Sequence, residues 1–261
     1  MDYQKLFDLA GKICVVTGGM GYLGAQSATV LKAFGATVAV ASRSAGKAHW
    51  KEEGPPPDMF LACDVSSSDS IRTCFQQVAD QYGRIDVLVN CATYGDGYGT
   101  ESQLEFMSDE VWNKGVDGTL GSVFRGTREV VRHMKDHGGS IINYCSMYGI
   151  VAPDLRIYGD NPQKQPPNYG AGKAGVAQFT RYAAAALAEY QIRVNTITPG
   201  PFPSPKNQGD TAFNAKLAEK TMLGRFGQSY EIAGAVLLLA SDASTFMTGS
   251  NITVDGGWTA W

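Results

Sequence analysis

The chain has 261 residues, 44% of them hydrophobic and 18% charged, with a formal net charge of −3. That length is enough for one large domain or two small ones with a substantial core, and the mildly acidic balance offers no basic patch for nucleic acid or an anionic membrane. Five scattered cysteines without a Cys-x-x-Cys pair argue against a disulfide framework and against a zinc site.

The N-terminus has no positive flank followed by an apolar core, so it does not read as a signal peptide. No apolar run approaches the roughly 18 residues of a spanning helix. The expectation is a cytoplasmic protein without metal, nucleic-acid or membrane partners.

Ile13-Cys14-Val15-Val16 reads as a first strand. Behind it stands Thr17-Gly18-Gly19-Met20-Gly21-Tyr22-Leu23-Gly24, and then a helical pattern with Leu23, Val30, Leu31 and Phe34 on one face. Strand, glycine turn and helix are the setting that gives a Gly-x-Gly-x-x-Gly match its meaning. Here the glycines are Gly19, Gly21 and Gly24. Such glycines allow a tight turn and let backbone N–H groups approach a pyrophosphate at a helix N-terminus. The amides of Tyr22 and Leu23 are expected to face those phosphates, with the Tyr22 ring turned aside.

Residues 37–41 form a second apolar run, and a polar segment closing in Pro55-Pro56-Pro57 follows as a loop. Residues 59–62 read as a third strand. Ser66-Ser67-Ser68-Asp69 then offers N-caps to a helix carrying Ile71, Phe75, Val78 and Tyr82. Residues 85–89 are a fourth strand, followed by a glycine-rich loop from 93 to 100. A long helix starts near Ser108, with Val116, Leu120, Val123, Val130, Val131 and Met134 as its stripe. Residues 141–144 are a fifth strand. Four prolines make residues 150–168 a long loop, and loops of that length are commonly functional. A helix over 169–190, a sixth strand over 192–197, helices near 211–222 and 229–240, and a last strand over 251–254 complete the chain.

Strands alternate with helices from end to end, with no break in composition and no repeat. This predicts one α/β domain over 1–261: a single-domain Rossmann fold with a doubly wound parallel sheet. Its ligand lies at the carboxyl ends of the strands. Marked residues fall at those ends: Ser42-Arg43 after strand two, Asp64 after strand three, Asn90 after strand four, Ser146 after strand five and Pro199-Gly200 after strand six.

Tyr169 and Lys173 are the sharpest pair. Of 12 tyrosines, only Tyr169 has a lysine four residues on, a spacing that puts both on one helix face. An ammonium beside a phenol lowers its pKa from about 10, so the phenol can exchange a proton with an alcohol or carbonyl. Ser146 can hold the same oxygen.

These residues resemble the short-chain dehydrogenase/reductase family over nearly the whole chain. The parts are the loop from Thr17 to Gly24, Asp64-Val65, Asn90-Cys91-Ala92, Ser146 with Tyr169 and Lys173, Pro199-Gly200 and Asp255-Gly256-Gly257. The resemblance implies a seven-stranded sheet and NAD(P)-linked hydride transfer at a carbonyl or secondary alcohol. It implies Tyr169 as acid/base, Lys173 on the nicotinamide ribose, Ser146 on the substrate oxygen, and a homo-oligomer, tetramer or dimer. The implied cofactor contacts are Gly18, Gly21, Tyr22, Leu23, Ser42, Arg43, Asp64, Val65, Asn90, Tyr169, Lys173, Pro199 and Phe202.

Three departures stand out. The family's standard loop has its middle glycine where Tyr22 stands, whereas Gly21 matches an extended branch that includes epimerases and dehydratases. Thr119 occupies the place of an asparagine that holds a water in the proton relay, and it enters the catalytic set in that place. Ser146 and Tyr169 lie 23 residues apart, about 10 more than is usual in the family, with the extra length in the proline-rich loop. Similar insertions occur in members resembling gluconate dehydrogenases and sugar-modifying oxidoreductases. Arg156, Tyr158, Asp160 and Lys164 can bind a hydroxylated or anionic substrate from this loop.

An NAD site normally has an acidic residue about 20 positions past the glycines. Here Ser42 stands there and Arg43 follows, a guanidinium suited to a 2′-phosphate. NADPH is the expected preference, with NAD possible. The substrate is expected to be a small polar secondary alcohol or ketone such as a sugar, sugar acid or polyol. It would be chosen by loops at about 93–106, 150–168 and 201–220. The aromatic chain end, Trp258 to Trp261, is expected to pack on a neighbouring subunit or border its active site. The alternatives are a catalytically weak dinucleotide-binding sensor or scaffold and, further off, an epimerase or dehydratase with bound cofactor.

Overall fold

The computed structural model describes residues 2–44, 46, 50, 55–95, 99–161, 164–206 and 208–261. Its centre is a sheet of seven strands: β1 (Ile13–Thr17), β2 (Thr37–Ser42), β3 (Met59–Ala62), β4 (Val87–Asn90), β5 (Gly139–Tyr144), β6 (Ile192–Pro199) and β7 (Asn251–Val254). Their order is β3-β2-β1-β4-β5-β6-β7, and every pair is parallel. The order reverses between β1 and β4, so a crevice opens at their carboxyl ends.

Side-chain alternation divides the strands between two cores. Val15, Ala39, Leu88 and Ile141 join one cluster with Ile71, Phe75 and Val78. Cys14, Val16, Val38, Val40, Val87, Val89 and Ile142 join the other with Leu31, Val236 and Leu239. Helices α1 (Tyr22–Ala33) and α7 (Ala233–Ala240) therefore cover one face. Helices α2 (Ser68–Tyr82), α4 (Ser122–Val130) and α5 (Pro167–Leu187) cover the other.

The long helix expected after Ser108 is interrupted. It runs as α3 (Asp109–Val116), a π segment (Asp117–Gly121) and α4. Helix α5 opens at Pro167, two residues ahead of Tyr169, with proline in its first turn, where its missing N–H costs no helix hydrogen bond.

The proline-rich stretch ahead of α5 is packed chain. It contains a 3-10 turn, Leu155–Tyr158, capped by the Asp154 side chain, which accepts from the Arg156 N–H at 3.1 Å. Ile157 joins Met147, Tyr148, Leu217 and Trp258 in a buried cluster that also receives Tyr158, Tyr169 and Phe213. Leu217 and Phe213 belong to α6 (Thr211–Glu219). Asp154 holds Lys220, just past α6, at 2.5 Å.

Trp258 packs within the domain. It is 7% exposed and meets the Tyr148 ring edge-on, with centroids 6.3 Å apart, inside its own chain. The cause is local: the Asp255 carboxylate accepts from the Gly257 and Thr259 N–H groups and folds the tail inward. Trp261 stays exposed and donates its indole N–H to the Lys220 carbonyl.

Among the described residues no helix is long and apolar enough to cross a membrane.

Candidate active site

The glycine loop closes on itself at the carboxyl end of β1. The Gly18 N–H donates to the Ala41 carbonyl at 2.8 Å, and the Gly21 N–H to the Gly18 carbonyl at 2.9 Å. Gly18 has φ +69°, and a Cβ there would lie 2.7 Å from the Ala92 backbone. A Cβ on Gly24 would lie 2.2 Å from the Gly18 carbonyl oxygen. Helix α1 begins immediately after Gly21, and no side chain caps its N-terminus. The first N–H groups of a helix have no acceptor within it, so this end presents free donors to an anion. The cradle fits a dinucleotide pyrophosphate.

Beside it lies a cavity of about 260 Å³ whose lining includes Gly18, Gly21, Ser42, Arg43, Asp64 and Val65 together with the stretch from Cys91 to Tyr94. It adjoins a larger cavity of about 690 Å³, where Arg43, Asp64, Thr93 and Tyr94 recur with Lys114, Thr119, Asn168 and Tyr169. Asp64 accepts from the Ser66 N–H at 2.9 Å and hydroxyl at 2.8 Å. Those bonds hold its carboxyl below the usual range, with Arg43 adding a smaller pull.

Several residues placed on this edge by their position in the chain face elsewhere. Asn90 is 3% exposed, and its amide donates to Asn143 at 2.9 Å and to Thr127 at 3.4 Å. β4 lies between β1 and β5, so Asn90 stands opposite Asn143 in the register and braces the strand ends. Pro199 ends β6, and Phe202 packs on Gly227 in a small separate pocket. Neither residue lines the two cavities, and Tyr22 and Leu23 do not either.

At the head of α5 the catalytic candidates converge. Ser146 and Lys173 are buried, and the Ser146 side chain stands where it favours the ionised Tyr169 phenol. The Lys173 ammonium donates to the Tyr144 carbonyl at 2.7 Å and stands 5.7 Å from the centre of the Tyr169 ring. Burial pushes the phenol above its ordinary value, which Ser146 only partly offsets. Burial likewise lowers Lys173. The expected lowering of the tyrosine is therefore overturned. Desolvation of the phenol is the main cause, and the ammonium is anchored on a backbone carbonyl.

Thr119 sits within the π segment. Its hydroxyl lies 2.9 Å from the Gly115 carbonyl and 3.1 Å from that of Val116. It fills the space a Cβ on Gly172 would need. Of the insertion residues, Arg156 is bonded to Asp154 through its Nε at 2.8 Å and leaves 87% of its side chain exposed. Asp160 is exposed. Tyr158 faces Phe213, with its hydroxyl 3.4 Å from that of Tyr148. Lys164 borders an apolar cavity of about 650 Å³ with Leu104, Ile150, Val151 and Leu155. Parts of the three loops, at 96–98, 162–163 and 207, lie outside the described residues.

A family model described as enoyl-(acyl carrier protein) reductase matches residues 20–259. The 3-oxoacyl-[acyl-carrier-protein] reductase of Thermotoga maritima is 35% identical over 262 residues, covering 95% of this chain and 98% of that protein. The chain belongs to the short-chain dehydrogenase/reductase family. Another family member, the cyclopentanol dehydrogenase of a Comamonas species, is 35% identical over 268 residues, covering 95% of this chain and 97% of its own. Among solved family structures, a gluconate 5-dehydrogenase from Burkholderia cenocepacia, in complex with NADP and tartrate, superposes with a TM-score of 0.85. It is 29% identical and covers 99% of both chains.

Sequence reasoning passed over Tyr94, Asp117, Arg125 and Asn168. The first three are bonded together, and Tyr94 lines both cavities. Asn168 donates to the Val111 carbonyl at 2.9 Å, and its amide oxygen is buried without a protein partner. Position beside Tyr169 was the only signal for Asn168. The others are joined across 31 residues or fewer by contacts that no local pattern displays.

Proposed function

We propose that the protein is an NADP-preferring dehydrogenase/reductase acting on a secondary alcohol or ketone with a compact carbon skeleton. The observation that carries this is the meeting of Ser146, Tyr169 and Lys173 beside a cavity that continues into the glycine cradle. Ser42 and Arg43 line that cavity with no acidic residue at the end of β2, which supports binding of a 2′-phosphate. Gly18, Gly21 and the α1 N-terminus would hold the pyrophosphate, and Asp64 and Val65 would border the adenosine. When bound, the nicotinamide ring supplies the hydride acceptor or donor.

The chain's own residues handle the oxygen. Ser146 holds the substrate oxygen beside Tyr169. The phenol, kept protonated by burial, gives its proton to a carbonyl oxygen as it becomes an alkoxide. Lys173 keeps a positive charge within reach of the phenolate that remains. In the opposite direction the phenolate takes the proton from the alcohol.

The cluster on which Tyr169 packs is aromatic and aliphatic, made of Met147, Tyr148, Tyr158 and Trp258 among others. Arg156 of the insertion is paired with Asp154, which also holds Lys220. That supports an alicyclic or short acyl substrate, in keeping with the cyclopentanol and acyl reductase relatives. A sugar acid is the second reading, favoured by the gluconate 5-dehydrogenase likeness and by the Tyr148 and Tyr158 hydroxyls. The screen that tests this sets alicyclic alcohols against sugar acids and polyols, each with NADP and NAD. Turnover confined to sugar acids would reverse the order of the two readings. Nucleotide reduction with neither class would refute both. Arg43→Ala should weaken NADPH binding about tenfold while leaving NADH unchanged. An unaltered ratio of the two affinities would remove the 2′-phosphate assignment.

A further inference from the structure

Val65 and Tyr94 both line the 260 Å³ cavity. Val65 follows β3, whereas Tyr94 follows β4, and the sheet order places β2 and β1 between those strands. Three strand spacings amount to about 14 Å, and no ladder hydrogen bond joins the two ends. Something else has to fix the distance between them.

Arg125, on α4, ties the chain after β3 to the chain after β4. Its Nε donates to the Val65 carbonyl at 2.9 Å. One terminal nitrogen donates to Asp117 Oδ1 at 2.9 Å. The other donates to Asp117 Oδ2 at 3.0 Å and to the Tyr94 hydroxyl at 2.8 Å. Tyr94 in turn donates its phenolic hydrogen to the same carboxylate. Every part of the guanidinium fork is engaged, and only 14% of the side chain is exposed. The Tyr94 backbone is held too: its N–H donates to the Gly118 carbonyl at 3.2 Å, inside the π segment. A planar bidentate group is the one side chain that can meet a carboxylate, a hydroxyl and a carbonyl at fixed angles.

We propose that Arg125, with Tyr94 and Asp117, is a positioning clasp that sets the width of the adenosine side of the cofactor cavity. The inference rests on the dinucleotide reading of that cavity. None of the three side chains needs to touch the nicotinamide end, so the clasp acts on affinity for the adenosine half and leaves the proton-transfer centre alone. Burial and the bond to Asp117 push the Tyr94 phenol up to about 12, so it remains a donor throughout the working range.

The test is direct binding of NADPH to the purified full chain, read by nucleotide fluorescence, for wild type, Tyr94→Phe, Arg125→Gln and the double variant. Turnover is measured beside it with NADPH and with reduced nicotinamide mononucleotide, which lacks the adenosine half. Arg125→Gln should raise the NADPH Kd about tenfold, since it removes charge-assisted bonds. Tyr94→Phe, which deletes a single hydroxyl, should raise it about threefold. The double variant should be no worse than Arg125→Gln alone. In Tyr94→Phe the loss of kcat/KM should be larger with NADPH than with the mononucleotide. Unchanged NADPH affinity in both single variants overturns the clasp, and so does equal loss with both nucleotides. Tyr94→Phe keeps the test decisive should Arg125→Gln fail to fold. Wild-type protein that binds no NADPH or NADH overturns the cofactor reading itself, which separates that failure from failure of the clasp.

Discussion

Gly172 sits in α5 next to Lys173, and its missing side chain is where the π segment meets the catalytic helix. A Cβ built there would fall 1.7 Å from the Thr119 hydroxyl oxygen and 2.9 Å from the Thr119 Cβ. Alanine in an open helix interior gains about 1 kcal/mol over glycine, so a freely exposed position would be stabilised. At this one, roughly 1.7 Å must be opened to reach a normal contact distance. Thr119 cannot swing clear, because it is 2% exposed and its hydroxyl is tied to the Gly115 and Val116 carbonyls. Overpacking of this kind costs about 1–3 kcal/mol, which matches or exceeds the propensity gain. Gly172→Ala should therefore lower the melting temperature by several degrees, at about 2–4 °C per kcal/mol in a protein near this size. It should also reduce kcat, because moving α5 carries Lys173 away from the Tyr144 carbonyl. Thr119→Ala alone should keep most of its turnover. Combined with Gly172→Ala it should restore both readings, with a coupling of about 1–2 kcal/mol. Thermal unfolding by circular dichroism and steady-state kinetics on the four proteins measure this. A Gly172→Ala protein that melts higher than wild type, or one that Thr119→Ala fails to rescue, would refute the contact.

Burial raises the Tyr169 pKa, so the phenol is protonated at neutral pH. Carbonyl reduction should then hold steady from neutral pH upward and fall only above the ordinary phenol value near 10. Alcohol oxidation, which needs the phenolate, should climb over the same span. Tyr169→Phe should cost about 10²- to 10⁴-fold and flatten both profiles, and a wild-type oxidation rate independent of pH would contradict the assignment. Asp154→Asn should release Lys220 and loosen the 150–168 stretch, raising KM more than it lowers kcat. Limited proteolysis within 150–168 reports the loosening, and unchanged KM and cleavage would show that the aromatic cluster alone holds these residues as a cap ahead of α5.

Continuous apolar runs sufficed to place the central strands of the parallel sheet, because a strand buried on both faces must be apolar throughout. Val15 and Val16 enter different cores for that reason alone. The interruption at Asp117–Gly121 left no such trace. Val116, Leu120 and Val123 keep ordinary helical spacing, and the π segment is stabilised by contacts distant in sequence, among them Tyr94 with Gly118 and Thr119 with Gly172. The cap was hidden for a related reason. Four prolines announce a segment that cannot be one helix, but the rings that bury it, Phe213 and Trp258, come 50 or more residues after the turn they cover. Tyr169 and Lys173 were legible as a pair from their spacing of four. The sign of the tyrosine shift was not, because it depends on how much water the cap and α5 exclude.

The insertion raises a physical question: how Tyr169 keeps its place when the chain ahead of it is lengthened. Helix α5 is indexed by neighbours that lie outside the inserted stretch. Asn168 lodges in the space left by Gly115, where a Cβ would fall 2.1 Å from its amide nitrogen, and bonds to the Val111 carbonyl. Four residues on, Gly172 receives Thr119. On the other side, Gly149 lies so near the Lys173 and Ala174 backbone that its Cβ would fall 2.8 Å from the Lys173 carbonyl carbon. Lys173 itself is bonded to the end of β5. These contacts fix the rotation and height of α5 against α3, the π segment and β5, whatever length of chain joins Ser146 to Pro167. The inserted residues are therefore free to build the substrate wall without resetting the geometry of proton transfer. A cap of this kind acts on the choice of substrate, and the reaction stays with Ser146, Tyr169 and Lys173.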